Sequence, residues 1–440
     1  MTTVVPAPQR RKTRAEADLE AAFGAIGGSL PGDFIARAAA FARFEEVGLP
    51  HRRVEPYHFT DLRSLLAAAP APAERLAAPA EAANVFAGID AARAVFVDGF
   101  FAADLSDLSG LGDGVSVTTV AAGLATGEGL AALGARVAAD AAVSADPLVA
   151  LAGAFFTDGL VLTLAPGAAM ARPLEIRHLS SGKAASAFVR HAVTLGAGAA
   201  ADVLESHDSP NGLDVHAHTL VELTLGAGAK ATWLDHQAEG DAAARFSTLA
   251  LDLADEAALD HSVVTLGAKL ARTQVFARLG AKADLTTRGA TLVKGRAHAD
   301  ATLVVTHAAP NAVSRELYKS AIDDEAVSVF QGRITVEKAA QGTDGRMQAH
   351  SVLLSDRAEA KAKPELEIFA DDVACAHGAT VSEIDDTLKF YLMSRGIPAA
   401  ETEKLLIRAF LGEVTDAISS EAAREAVEAE IDAWIDRREG

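Results

Sequence analysis

"LVELTLGAGAKATWLDH", Leu220 to His236, decides how this 440-residue chain is read. Val221, Leu223 and Leu225 alternate with Glu222 and Thr224, the period-two pattern of a half-buried strand. The tight phrase Leu-Gly-Ala-Gly-Ala follows, and a second strand-like run begins at once. The phrase recurs in the form Leu, Gly or Ala, two variable residues, Ala. It stands as "LAPGA" from Leu164, "LGAGA" from Leu195 and Leu225, "LADEA" from Leu253 and "LGAKA" from Leu279, at spacings of 31, 30, 28 and 26. A strand, a turn and a strand repeated at a near-constant period are the mark of a solenoid. The period is longer than that of a hexapeptide β-helix and fits two or more strand–turn units per repeat. Long amphipathic helices are not evident between about 150 and 370, which argues against βαβ units. The fold class is therefore mainly β, with a parallel β-helix or a related strand superhelix over residues 91–380.

Both flanks read as helical. Residues 15–85 are Ala-rich, and Phe34, Ala38, Phe41 and Phe44 fall on one broad helix face before "GLPHRRVEPY" breaks the pattern. Residues 1–90 are assigned to an N-terminal helical region. At the other end, Ile384, Leu388, Tyr391 and Leu392 form a stripe stopped at Gly396-Ile397-Pro398. Leu406, Phe410 and Val414 form a second stripe. Val427, Ile431, Trp434 and Ile435 form a third, on a helix capped near Ser419-Ser420. This C-terminal helical domain, 381–440, is expected to close the solenoid end or to dock a partner, with Phe410 and Trp434 as partner-binding residues.

Composition narrows the function. A net charge of -20 and a pI near 5.1 disfavour a nucleic-acid partner. A single cysteine excludes internal disulfides and thiolate-only metal sites, and it fits a reducing, cytoplasmic setting. No run approaches the roughly 20 apolar residues of a membrane span. The basic start, Arg10 to Arg14, is followed by Glu16, Asp18 and Glu20 rather than by an apolar segment, so a solvated start is expected and not a signal peptide. There is no phosphate-binding G-x-x-x-x-G-K-[ST], no G-x-S-x-G and no H-E-x-x-H. No catalytic residue or tightly bound cofactor is expected, and any ATP chemistry must come from a partner. His216 and His218 share a strand face at i, i+2 and read as surface polar residues.

"KPELEIFADDVACAHGAT", Lys363 to Thr380, holds the lone cysteine. Read as one strand, it points Phe369, Asp371, Val373, Cys375 and His377 to the same side. Cys375 and His377 are then about 7 Å apart at their α-carbons, within reach of one soft or borderline metal ion. A small buried thiol beside a hydrogen-bonded structural histidine explains the pattern equally well.

That stretch, followed by "KFYLMSRGI", resembles the C-terminal signature of the SufB/SufD family of the Suf iron–sulfur cluster assembly machinery, on its SufD side. "FFTDGL" (155–160), "SRELYKSAI" (314–322), "VFQGRITVEKAAQGTDGRMQAHSVLLSDRAEAKAKPELEI" (329–368) and "GLPHRRVEPYHFTDL" (48–62) agree with it, so the resemblance runs from about residue 35 to the end. It implies a right-handed parallel β-helix between helical ends and no independent catalysis. It also implies pairing with the paralogue SufB and with the ATPase SufC, sulfur donors acting indirectly, and a homodimer as an option for the isolated chain. The cluster-related residues become His377 and Cys375, which would hold transient iron or a nascent iron–sulfur cluster shared with SufB. The SufB side is expected to carry "HEA" where this chain has His377-Gly378-Ala379, and a cysteine where this chain has His350 before "SVLL". Tyr57 and His58 depart from the aromatic pair usual in the family. Two other readings stay open at this point: a purely structural adaptor for SufB and SufC, and a stand-alone β-helix enzyme acting on carbohydrate.

Overall fold

The computed structural model describes residues 11–75, 79–80, 82–126 and 133–438. The first ten residues, including Arg10, lie outside them, as does Glu439. The strands are β1 (Ala92–Val97), β2 (Phe100–Phe101), β3 (Val115–Thr119), β4 (Leu160–Leu164), β5 (Leu174–Leu179) and β6 (Ala185–Leu195). They continue with β7 (Ala200–Asp208), β8 (Val215–Leu225), β9 (Lys230–Ala238), β10 (Ala244–Leu253), β11 (Ala258–Thr265), β12 (Leu270–Leu279) and β13 (Asp284–Val293). The last six are β14 (His298–His307), β15 (Val313–Ile322), β16 (Val327–Val336), β17 (Thr343–Leu353), β18 (Glu359–Ile368) and β19 (Val373–Glu383).

These strands make a parallel β-solenoid with two strands per coil. Even-numbered strands stack in one sheet in the order β18 to β3, and odd-numbered strands stack in the other from β19 to β1 and β2. From β4 and β5 onward every pairing is parallel; β1–β2 and β3–β4 are antiparallel and close the first coil. The repeated phrase is the corner between the sheets. Leu164, Leu195, Leu225, Leu253 and Leu279 lie directly in register on successive coils, and all are buried in the lumen. The fourth residue of the phrase is left-handed in each corner: Gly167 (φ 73), Gly198 (66), Gly228 (66), Glu256 (61) and Lys282 (56). Its amide bonds the next coil, as from Gly198 to the Ala227 carbonyl at 2.8 Å and from Gly228 to Asp255 at 2.9 Å. The closing alanines, Ala199, Ala229, Ala257 and Ala283, fill the inside of the corner, where a larger side chain has no room.

Helices cover the outer faces of both sheets. The N-terminal set is α1 (Arg14–Ile26), α2 (Phe34–Val47) and α3 (Leu62–Leu65), joined by α4 (Val120–Thr126), α5 (Ala135–Ala139), α6 (Ala141–Ala145) and α7 (Pro147–Phe155). α1, α2 and α7 pack on Phe188, Phe246 and Leu270 of the even sheet. α2 buries Ala40, Phe41 and Phe44, but Phe34 in its first turn is 52% exposed and only Arg37 continues the buried face. The helices α4–α7 fall between β3 and β4, inside the stretch read as solenoid. They are short, and all but α7 span seven residues or fewer, so helical periodicity has little length in which to show.

The C-terminal helices are α8 (Asp386–Ser394), α9 (Ala399–Thr415) and α10 (Glu421–Asp436). They do not cap the solenoid end. α9 and α10 lie along the outer face of the odd sheet, where Leu204, Leu234, Val264, Leu292 and Val352 point outward and need cover. The buried face of α9 is Ile407, Leu411 and Val414, one residue round from the expected Leu406 and Phe410. Trp434 is 3% exposed within this seam, so it fastens the helices to the sheet and is not at a surface where a partner could reach it. Phe410 is half-buried under the Lys319 ammonium, 4.8 Å from its ring centre. α8, by contrast, buries none of its residues; Leu388, Phe390, Tyr391 and Met393 are all exposed.

Two glycines of one corner are required for different reasons. A Cβ on Gly226 would lie 2.8 Å from the backbone nitrogen of Ala197 in the adjoining coil, whereas Gly228 has open space but a φ of +66. Gly226→Ala is expected to cost about 3 kcal/mol by forcing two coils apart. Gly228→Ala should cost only about 1 kcal/mol, for the left-handed backbone. Urea unfolding followed by circular dichroism orders the two.

Candidate functional site at the open end of the solenoid

Because the helices lie alongside, the last coil is left bare. β18 and β19 each have a neighbour on one side only, β16 and β17. A free edge offers a row of unpaired amides and carbonyls, which charge or proline can blunt. β18 has both, with Lys361, Lys363, Glu365 and Glu367 around Pro364. β19, "VACAHGATVSE", carries no charge before Glu383 over eleven residues. It is a long, uncharged, exposed edge.

The stretch "KPELEIFADDVACAHGAT", expected as one strand, is two. A corner at residues 369–372 separates β18 from β19, as in every other coil. The amide of Phe369 bonds the Val336 carbonyl at 2.9 Å, and the Gly342 amide bonds that of Asp372 at 2.6 Å. Phe369 is 64% exposed, and both it and Asp371 sit in the corner, off the strand face. Val373, Cys375 and His377 do share a face of β19.

That face looks into the lumen. Cys375 is in register with Gly345 and Ser314, and His377 with Met347 and Glu316. The second row continues inward through Thr287, His261 and Trp233. Cys375 is half-buried and packs against the lumen core. Burial raises its thiol pKa, the Gly345 amide opposes this, and the carboxylates of Asp344 and Glu316 add to the rise. A raised thiol is a poorer thiolate, hence a poorer ligand while it stays packed. His377 is exposed on the edge strand. Two donors on one strand are too few to hold an iron–sulfur cluster.

Glu316 is 2% exposed, and neither carboxylate oxygen has a hydrogen bond. Burial pushes its pKa up to about 8, and Ser314 and Arg315 offset only part of that. It is a neutral carboxylic acid two strands below His377.

His216 and His218 are not at the surface. His218 is sandwiched between Phe188 and Phe246, with ring centres 4.4 and 4.6 Å away, and its burial lowers its pKa. A polar cluster the sequence reading missed lies deeper in the lumen: His178 on β5 and Glu205 and His207 on β7, with Asp235 on β9. Its only sequence trace is the alternation in "LESHD" and "WLDHQ", where Glu205, His207, Asp235 and Gln237 take inward positions after Val203 and Trp233. Burial and Arg245 push the His207 imidazolium down, but Asp235 and Glu205 outweigh them and hold its pKa up at about 9.

Comparison with known proteins gives the family. Residues 178–410 match the family described as SUF system FeS cluster assembly, SufBD core domain, and residues 34–176 match the SufBD protein N-terminal region. The chain belongs to the SufBD family of iron–sulfur cluster assembly proteins. It is 31% identical over 393 residues to the iron–sulfur cluster assembly protein SufD of Escherichia coli, covering 87% of this chain and 89% of that protein. An iron–sulfur cluster assembly SufBD family protein of Synechocystis is 31% identical over 389 residues, 84% of each chain. SufD of Bacillus subtilis is 37% identical over 101 residues, 23% of each.

Several of the SufBD-like segments prove structural. In "FFTDGL", the buried Asp158 carboxylate accepts the amides of Ala121 and Gly159 at 2.9 and 3.0 Å, joining α4 to β4. In "VEPYHF", Tyr57 donates its hydroxyl to Asp146 at 2.8 Å, beneath the Arg272 guanidinium 3.9 Å from its ring centre. This pins the N-terminal helices to the even sheet. His377 lies exposed on the bare edge, as do its neighbours Ala376, Ala379 and Thr380.

The unpartnered Glu316 makes stability depend on pH. Below about pH 4.5 its carboxyl is neutral in folded and unfolded chains alike. As pH rises from there to about 8, only the unfolded chain releases the proton, so stability falls through that window. Glu316→Gln should flatten the fall and stabilise the protein at pH 7 by on the order of 3 kcal/mol. Thermal unfolding across pH 4 to 9 measures it.

Proposed function

We propose that this chain is a non-catalytic subunit of an iron–sulfur cluster assembly complex. Its bare last coil pairs edge to edge with the solenoid of a SufB-type paralogue, and His377 serves the nascent cluster or its iron at that junction. The observation that carries the reading is the uncharged, unpaired β19 edge with His377 upon it. Parallel sheets pair readily when an edge strand is added, because every main-chain donor and acceptor on the edge finds a partner. Two solenoids joined this way continue each other's sheets and bring His377 against donors from the paralogue. Those donors supply what one imidazole and one packed thiol lack. The cluster is cargo built at the junction, not a resident cofactor.

The energy source in this reading is a SufC-type ATPase docked on the C-terminal helices. Trp434 cannot contact it, since it is buried in the seam. The exposed row of α8, with Phe390 75% and Tyr391 53% exposed, is the surface that fits such a partner. Sulfur reaches the junction through the paralogue, and the lone cysteine accords with a reducing, cytoplasmic compartment. Among the described residues no helix is long and apolar enough to cross a membrane. A pure adaptor role is the alternative that the tests below separate.

His377→Ala should leave folding and three-protein assembly intact, because the imidazole is exposed, and should lower cluster loading several-fold. Cys375→Ala should have the smaller effect. Anaerobic reconstitution of the purified complex, read by absorbance and iron assay, decides. Loading equal to wild type in His377→Ala would leave only the adaptor role.

Phe390→Asp is expected to weaken ATPase binding at least tenfold while circular dichroism and melting stay unchanged, since the side chain is three-quarters exposed. Trp434→Ala should instead destabilise the chain by about 3 kcal/mol through a cavity in the seam. Calorimetric titration with the ATPase and unfolding curves distinguish the two.

A further inference from the structure

The lumen cluster missed in the sequence has the makings of a cation site. The candidate ligand atoms of His178, Glu205 and His207 all lie within 4.8 Å of one another. Glu205 Oε1 is 3.2 Å from His178 Nε2 and 3.1 Å from His207 Nε2, and Asp235 Oδ1 is 3.4 Å from His207 Nε2. His178 and His207 are in register on adjacent coils, and their rings stack at 4.3 Å. Two of the converging atoms, His178 Nε2 and Asp235 Oδ1, are buried without a hydrogen bond.

The surrounding shell orients these groups. Trp233 Nε1 donates to Glu205 Oε2 at 3.0 Å, leaving Oε1 to face the imidazoles. Gln237 donates to Asp235 Oδ2 at 2.7 Å, leaving Oδ1 to do the same. Such outer hydrogen bonds are what fixes metal ligands in place. A cavity of about 40 Å³, lined by His178, His207, Thr219, Glu239 and Arg245, adjoins the cluster and reaches the coil corner at Ser180 and Ser209. It has room for water.

The charges within the lumen do not balance. Glu205, Asp235 and Glu239 are three buried carboxylates against two positive groups, the Arg245 guanidinium and the His207 imidazolium. Arg245 NH2 lies 2.8 Å from His207 Nε2. That nitrogen cannot accept from Arg245 and donate to two carboxylates at once. Meanwhile Arg245 Nε, 3.2 Å from Glu239 Oε1, makes no hydrogen bond, and neither Glu239 oxygen has one. Metal binding at His207 Nε2 therefore requires the guanidinium to turn away from it, and Glu239 is the carboxylate at hand to receive it.

We propose that His178, Glu205 and His207, with Asp235 as fourth donor, bind one borderline divalent cation such as zinc or ferrous ion inside the lumen. Two imidazoles with carboxylate oxygens are a donor set suited to these ions. The cation ties β5, β7 and β9 together. The site needs this chain alone and is independent of the role assigned to His377.

Zn(II) is the probe. The purified full chain, stripped with chelator, is titrated with Zn(II), desalted and assayed for metal; Co(II) substitution reports the ligand field by visible absorption. The expected result is about one retained equivalent per chain, with a rise in melting temperature. Glu205→Gln keeps the size of the side chain, and it and His207→Ala should each weaken binding by about 100-fold. The same titration in Cys375→Ser/His377→Ala, which removes the donors of the open end, should still retain the equivalent. The proposal is overturned if the wild-type chain retains no zinc. It is overturned equally if Glu205→Gln retains as much as wild type, or if retention is lost with Cys375 and His377. Should His207→Ala misfold, Glu205→Gln and the Co(II) spectrum of the wild-type chain decide the matter.

Discussion

Coil-to-coil register is the constraint from which the rest of this structure follows. Each strand satisfies its main-chain donors and acceptors with the strands one coil before and one coil after. A parallel stack of this kind has no internal place to stop. At its start the chain solves the problem with antiparallel additions, β2 on β1 and β3 on β4. At its finish nothing comparable is done: the chain leaves β19, turns away along the side of the odd sheet, and spends its apolar helix faces on Leu204, Leu234, Val264 and Val352. The open last coil is therefore a consequence of where the C-terminal helices find apolar surface to cover. An edge with ten successive residues free of Asp, Glu, Lys or Arg side chains is a hazard for a protein by itself and an asset for one with a partner.

The lumen adds a second constraint. A solenoid this narrow is filled by side chains from two sheets facing each other, so leucine ladders dominate and a large residue on one coil demands a small one nearby. A Cβ on Gly332 would lie 2.2 Å from the Met347 sulfur, and one on Gly289 equally close to the Tyr318 ring. Polar residues admitted to such a space are costly unless they satisfy one another. Among the described residues two such places stand out. One lies around Glu205 and Arg245 in the early coils. The other is the buried acid Glu316, beneath Met347 and His377 at the open end. The second is poorly satisfied, which is the kind of exception that sites of function tend to carry.

The N-terminal helices are held differently. Their apolar contact with the even sheet is supplemented by a buried ionic clamp in which Arg272 pairs with Asp300 and covers Tyr57. Thr60 reaches the same carboxylate. A charged clamp of this kind is specific in geometry, and it sets the helices at one place along the solenoid rather than merely against it.

How much of this was legible in the sequence follows from the range of each interaction. The repeated corner phrase depends on local events, a left-handed residue and an alanine too small to obstruct the bend. Leu164 through Leu279 therefore announce the solenoid and its period, while the number of strands per coil, two, came from the structure. The apolar stripes of α10 are equally local and were readable. His377 and Cys375 were found on one strand face because side chains alternate with period two, whereas the corner at residues 369–372 cost Asp371 its expected place. What sequence could not decide was which atoms meet across coils some 30 residues apart. His178, Glu205, His207 and Asp235 converge only because parallel register brings their strands together, and no short window contains them. Nor could it tell that Trp434 faces inward while α8 does not. An amphipathic helix shows that it has an apolar face, and only the tertiary structure, by supplying or withholding a surface to cover it, settles whether that face is core or contact.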